Sequence, residues 1–118
     1  MDILKDIQGR TFKSVTSDGD KWVEFERDDG EKFRMFHVQN CCENVSIREI
    51  HGDLNDLVGV PIVVAEERGE SGNTEWGDYE YTFYEFRTIK GSVTINWYGE
   101  SNGYYSTAVS FRNVKGIW

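Results

Sequence analysis

Proline is almost missing from this 118-residue sequence, occurring once at Pro61, and cysteine is confined to the adjacent pair Cys41 and Cys42. Scarce proline leaves nearly every backbone N–H free to join a β ladder. Two neighbouring cysteines cannot staple distant segments, so a reducing compartment suits the chain better than a disulfide-framed secreted one. Long apolar runs are also missing. The longest, Val58 to Ala65, is strand-sized, too short for a signal-peptide core or a membrane span. Cations are few: 13 Lys and Arg face 21 Asp and Glu, for a net charge of −8. Direct nucleic-acid binding draws its affinity from Lys and Arg on phosphates, and an anionic membrane surface makes the same demand. Neither partner is expected, and a cytoplasmic location is.

What the chain does have is aromatic side chains, with seven Phe, six Tyr and four Trp. These residues fit the half-buried surface of a sheet. The length suits one domain, residues 1–118, with a core that needs no staples. Internal similarity divides it into two halves, 1–51 and 52–118. Leu4-Lys5-Asp6-Ile7-Gln8-Gly9 recurs as Leu54-Asn55-Asp56-Leu57-Val58-Gly59, and Val45-Ser46-Ile47-Arg48 recurs as Val109-Ser110-Phe111-Arg112. Each half reads as a short helix, with Asp2 or Asp53 as its N-cap, followed by strands.

Alternation places strands at 11–17, 21–27, 32–38 and 44–50, and then at 61–67, 79–89, 92–98 and 104–114. The turns Ser17-Asp18-Gly19-Asp20 and Asp28-Asp29-Gly30 support hairpins, and 68–77 reads as a mobile loop. In the long strand the apolar parity passes from Tyr79, Tyr81 and Phe83 to Tyr84 and Phe86, which predicts a β-bulge near Phe83. The expected fold is mainly β (α+β): about eight antiparallel strands in a sandwich or partly closed barrel, with two short helices and a two-fold repeat.

The densest run of chemically capable side chains is His37, Gln39, Cys41, Cys42 and Glu43. A metal site would use His37, the cysteines and Glu43, but His-x3-Cys-Cys without a second ligand pair is no known zinc spacing. Nucleophilic catalysis would pair a cysteine thiolate with His37 as base. A disulfide between the two cysteines closes a strained ring. The plainer reading buries one cysteine as a small hydrophobe and bonds His37, Gln39 and Asn40 to the backbone of a turn. It is the preferred one, so no catalytic residue, metal or cofactor is expected. A small-ligand or metal module, or an enzyme, centred on this cluster is the alternative.

The stretch Phe36-His37-x-Gln39-x-Cys41-Cys42-Glu43-x-Val45, with Gly52-Asp53-Leu54-x-Asp56-Leu57-x-Gly59 and Ser101-Asn102-Gly103-Tyr104-Tyr105, resembles a family of small uncharacterised bacteriophage and prophage proteins. The similarity covers most of the chain. It implies a phage accessory protein acting in the cytoplasm of a host cell. The family carries no activity that could assign a site residue.

Charge then suggests a surface. Residues 18–31 hold seven acids against two cations, and residues 66–80 hold six against one. Glu24, Glu26 and Asp28 share one strand parity, so their carboxylates repeat about every 6.5–7 Å. Such a row can imitate a phosphate backbone in a basic groove, or simply keep a sheet face solvated. Glu66, Glu67 and Glu70 form a second acidic group, and Asn102, Tyr104 and Tyr105 an aromatic turn fit for an interface. The expected function is non-enzymatic: a phage accessory protein that binds and inhibits or modulates a host protein, for example as an anti-defence (anti-CRISPR-like) inhibitor of a nucleic-acid-binding defence complex.

Overall fold

A computed structural model describes residues 3–102 and 105–114. The elements run α1 (Ile3–Ile7), β1 (Phe12–Ser17), β2 (Trp22–Arg27), β3 (Lys32–Phe36), β4 (Asn44–His51), a 3-10 turn (Leu54–Leu57), β5 (Val64–Thr74), β6 (Gly77–Thr88), β7 (Gly91–Ser101) and β8 (Ser110–Asn113). Mainly β character and eight antiparallel strands are therefore observed, with no closed barrel. The second expected helix is only a 3-10 turn. Asp53 caps it by accepting from the Asn55 N–H at 2.9 Å, and four residues leave no length for an α-helical ladder. Asp2 lies outside the described residues.

The two sheets have orders β1-β2-β3-β8 and β4-β7-β6-β5. Each half of the chain thus gives a three-stranded meander to one sheet and its fourth strand to the other. Where the halves meet, the backbone bonds are reciprocal. Gly9 N–H donates to the Ile62 carbonyl at 2.6 Å, and Gly59 N–H to the Phe12 carbonyl at 2.9 Å. Thr11 and Pro61, at like positions in the two halves, form an isolated antiparallel bridge.

Between the sheets lies one core. Val23, Phe25, Phe33 and Met35 face it from the first sheet, and Ile47, Tyr84, Phe86, Val93, Ile95 and Trp97 from the second. Phe25 and Phe86 meet across the gap with ring centroids 5.0 Å apart. The Trp97 indole N–H reaches the Met35 sulfur at 2.9 Å, so even the one polar atom of this large side chain is used.

Two expectations are corrected in the second half. Residues 68–74 are not a loop, because β5 pairs with β6 without interruption from Val64↔Arg87 to Thr74↔Gly77. Backbone pairing carries these polar residues as a strand although they show no apolar alternation. Nor is there a bulge near Phe83, since β6 also pairs unbroken with β7. Thr82, Tyr84, Phe86 and Thr88 are buried, while Tyr79, Tyr81 and Phe83 stand on the opposite face. The parity shift arises because both faces of this strand carry aromatics. The last strand is also shorter than expected, covering only 110–113.

Candidate functional site

Exchange of the fourth strands requires two crossover segments, β3 to β4 and β7 to β8. The first contains the His-Cys-Cys cluster and the second the aromatic turn, and they touch: His37 Nδ1 donates to the Ala108 carbonyl at 2.7 Å. At the centre of the first crossover is Glu43, whose side chain is fully buried. Its Oε2 accepts from Asn40 N–H at 2.8 Å and lies 2.7 Å from His37 Nε2, while Oε1 accepts from Cys41 N–H at 2.9 Å. Burial alone would push this carboxyl up. The Asn40 and Cys41 amides and His37 outweigh it and bring the pKa down to about 2. Gln39 completes the loop by donating to the Cys41 and Glu43 carbonyls at 3.2 and 2.7 Å.

This arrangement fixes what the cluster can do. Both nitrogens of His37 are engaged, and its side chain is nearly buried, so neither nitrogen is available to take a proton from a thiol. The expectation of a buried cysteine is overturned. Cys41 and Cys42 are both exposed, and they are joined to each other in a disulfide. The chain bends at these two residues, and Glu43 takes the inward position instead. Among the described residues, no group of three or more His, Cys, Asp or Glu is placed to hold a metal ion.

The acidic row on β2 has cations on the same face. Arg34, directly opposite on β3, brings Nε and Nη2 to Glu24 Oε2 at 3.1 and 2.6 Å, and its guanidinium lies 4.5 Å over the Trp22 ring. Lys13 reaches Glu26 at 3.3 Å. Only Asp28 stands apart, in the exposed turn after β2. The second acidic group lies on β5, the edge strand of its sheet. Register places Glu66 and Glu70 on the outer face, opposite Glu85 and Tyr81. Glu67 pairs with Tyr84 and accepts from its hydroxyl, and burial together with this carboxylate pushes the tyrosine up.

The outer face of the second sheet carries a ladder of rings and guanidinium groups. Arg68 lies 5.2 Å over Phe83, and Arg48 lies 5.7 and 5.3 Å over Tyr81 and Tyr98. Arg48 occupies the bulge between Ile47 and Glu49, which lets its side chain swing across the face of the sheet. Tyr81 packs on Tyr98 with centroids 4.8 Å apart, and on Tyr79 at 6.1 Å. The ladder runs into an open cleft of about 320 Å³ where the β5–β6 tip, the end of β7 and the first crossover meet. Trp76, Tyr79 and Tyr98 line it with Glu100, Asn102 and Cys42.

The cleft therefore joins residues from two of the groups singled out in the sequence, Cys42 and Asn102. Tyr105 is half-buried and does not line it, and Tyr104 lies outside the described residues. His37, Gln39, Cys41 and Glu43 belong to the same crossover as Cys42 and do not line the cleft. Sequence reasoning missed Trp76, Tyr79, Tyr98 and Glu100. The available signal was the apolar character of both parities in β6, which marks a strand with aromatics on two faces.

Fold and cleft together define a two-sheet β protein with exchanged fourth strands and an aromatic, acidic groove at one end of its longer sheet. Residues 5–111 match the family described as Domain of unknown function (DUF7448), and the chain belongs to that family. No curated protein and no solved structure matches it. Among the described residues no helix is long and apolar enough to cross a membrane.

Proposed function

We propose that this protein is a non-enzymatic docking protein that occupies a basic surface on a protein partner, in the manner of a phage accessory protein inhibiting a host nucleic-acid-binding defence complex. The observation that carries this reading is the β5–β6 hairpin. Residues 64–88 hold seven carboxylates against two arginines. Both arginines are already engaged, Arg68 over Phe83 and Arg87 with Glu85 at 2.8 Å. The carboxylates thus set the field of this edge, and field complementarity steers a basic partner and fixes its register. The row Glu24, Glu26 and Asp28 contributes less, because Arg34 and Lys13 sit beside two of its members.

The test begins with affinity purification from host cells and reconstitution with the purified partner. The complex should weaken steeply with salt and compete with the partner's nucleic acid. Glu66→Lys with Glu70→Lys should abolish it at moderate ionic strength. A reconstituted complex indifferent to that double reversal would overturn the proposal.

A further inference from the structure

We infer that the cleft beside Trp76 receives an arginine side chain of the partner protein, an inference that rests on the docking role proposed above. The ladder itself shows the chemistry. Along the outer face, each group of rings holds a guanidinium: Phe83 has Arg68, and Tyr81 and Tyr98 have Arg48. At the cleft the rings continue with Tyr79 and Trp76, yet among the described residues no guanidinium or ammonium group stands over either. The last rung has rings without a cation.

The surrounding charge is complementary to one. Glu100 lines the cleft on the same face as Tyr79 and Tyr98, and the Tyr98 hydroxyl donates to its Oε2 at 3.2 Å. A cation entering here meets π faces and the Glu100 carboxylate together, the combination that cation–π recognition uses. Arginine suits it better than lysine. The guanidinium is planar, sheds water more readily, stacks on rings and offers a fork of donors to the Glu100 carboxylate. Trp76 is 85 % exposed at the hairpin tip, with its backbone N–H held by Thr74 Oγ1 at 3.1 Å. A large aromatic on an ordered turn is the kind of anchor on which interface energy concentrates.

The experiment is an NMR titration of the labelled full chain with a capped peptide Gly-Gly-Arg-Gly-Gly, and with the same peptide carrying lysine or citrulline in place of arginine. The arginine peptide should saturate at roughly millimolar concentration, shifting the Trp76, Tyr79 and Tyr98 signals. Lysine should bind several-fold more weakly, and citrulline, which keeps the shape without the charge, should not bind. Trp76→Ala and Glu100→Gln, both at exposed positions, should each weaken the arginine peptide by roughly threefold to tenfold. Equal shifts from arginine and lysine confined to the β5 carboxylates would overturn the cleft and leave the docking role standing. So would a silent cleft in a chain that still forms the full complex. Failure of both the peptides and the reconstituted complex would remove both.

Discussion

Replacing Gly77 with alanine should disable the cleft while leaving the fold standing. Gly77 follows Trp76 at the hairpin tip and has φ +143°, a region that L side chains avoid. Strain of that kind costs about 1–3 kcal/mol. A Cβ there would also collide with the Ser101 carbonyl oxygen and stand 2.9 Å from Asn102 Cα. Both are backbone atoms, so no side chain can swing aside. The chain has a cheaper exit, because Asp78 pairs with Ser101 at the very end of the β6–β7 ladder. Opening that end forfeits one or two hydrogen bonds, at about 1 kcal/mol each. The melting temperature should therefore drop only by roughly 4–8 °C. The cleft suffers more, since Trp76 and Asn102 lie on either side of the opened pair. Gly30→Ala is the control: φ is +90° there, but nothing lies within 4 Å of the added carbon and the site is remote from the cleft. By calorimetry the two variants should lose comparable stability, while only Gly77→Ala loses the arginine-peptide shifts in NMR. A Gly77→Ala chain that binds the peptide like its parent would refute the reasoning.

Acid should loosen the first crossover through Glu43. Its carboxyl titrates at about 2 in the folded chain against an ordinary 4.5, so its contribution is complete above pH 4.5 and disappears as pH falls towards 2. Glu43→Gln places an amide N–H₂ against groups that already donate. Urea midpoints should show it weaker than the parent near pH 6 and closer to it near pH 3. Asp29, held at about 2 by Arg27, titrates alike in both chains and so drops out of the comparison. Parallel acid curves would show that the carboxylate is not the anchor. In the core, Phe86→Ala removes a fully buried ring packed on Phe25, Tyr84 and Phe111 from both sheets. The expected loss is about 3–5 kcal/mol, a large part of a domain's usual stability, read by urea denaturation. A loss below about 1 kcal/mol would mean that the sheets do not close over this ring.

How much of this was legible in the sequence follows from what each feature leaves behind. Val93, Ile95 and Trp97 alternate with polar residues, so the core face of β7 could be read directly. Residues 68–74 could not be read as strand, because they sit on a protruding edge where neither face needs to be apolar and only pairing with β6 shapes them. Glu43 looked like a candidate ligand by its neighbours. In the fold it is the acceptor for two successive amides of a tight crossover, a demand of the backbone that side-chain patterns do not record. The exchange of fourth strands was equally hidden, since alternation tells a strand which face is buried and nothing about its partner.

The location of the cleft is best understood from the unequal lengths of two similarly arranged halves. β1, β2 and β3 have six, six and five residues, while their counterparts β5, β6 and β7 have 11, 12 and 11. The short meander ends level with its crossover, whose amides turn inward to Glu43. The long meander runs past its crossover, and the extra length has no second sheet to cover it. Its outer face must then be made compatible with water while carrying aromatics, which Arg48 and Arg68 do for Tyr81, Tyr98 and Phe83. At the tip the chain supplies carboxylates instead, at Glu75, Asp78 and Glu100. Rings capped by guanidinium groups along the ladder give way at its mouth to rings beside a carboxylate. A solvated sheet face has no need of that change, whereas a receptor for a cationic side chain does.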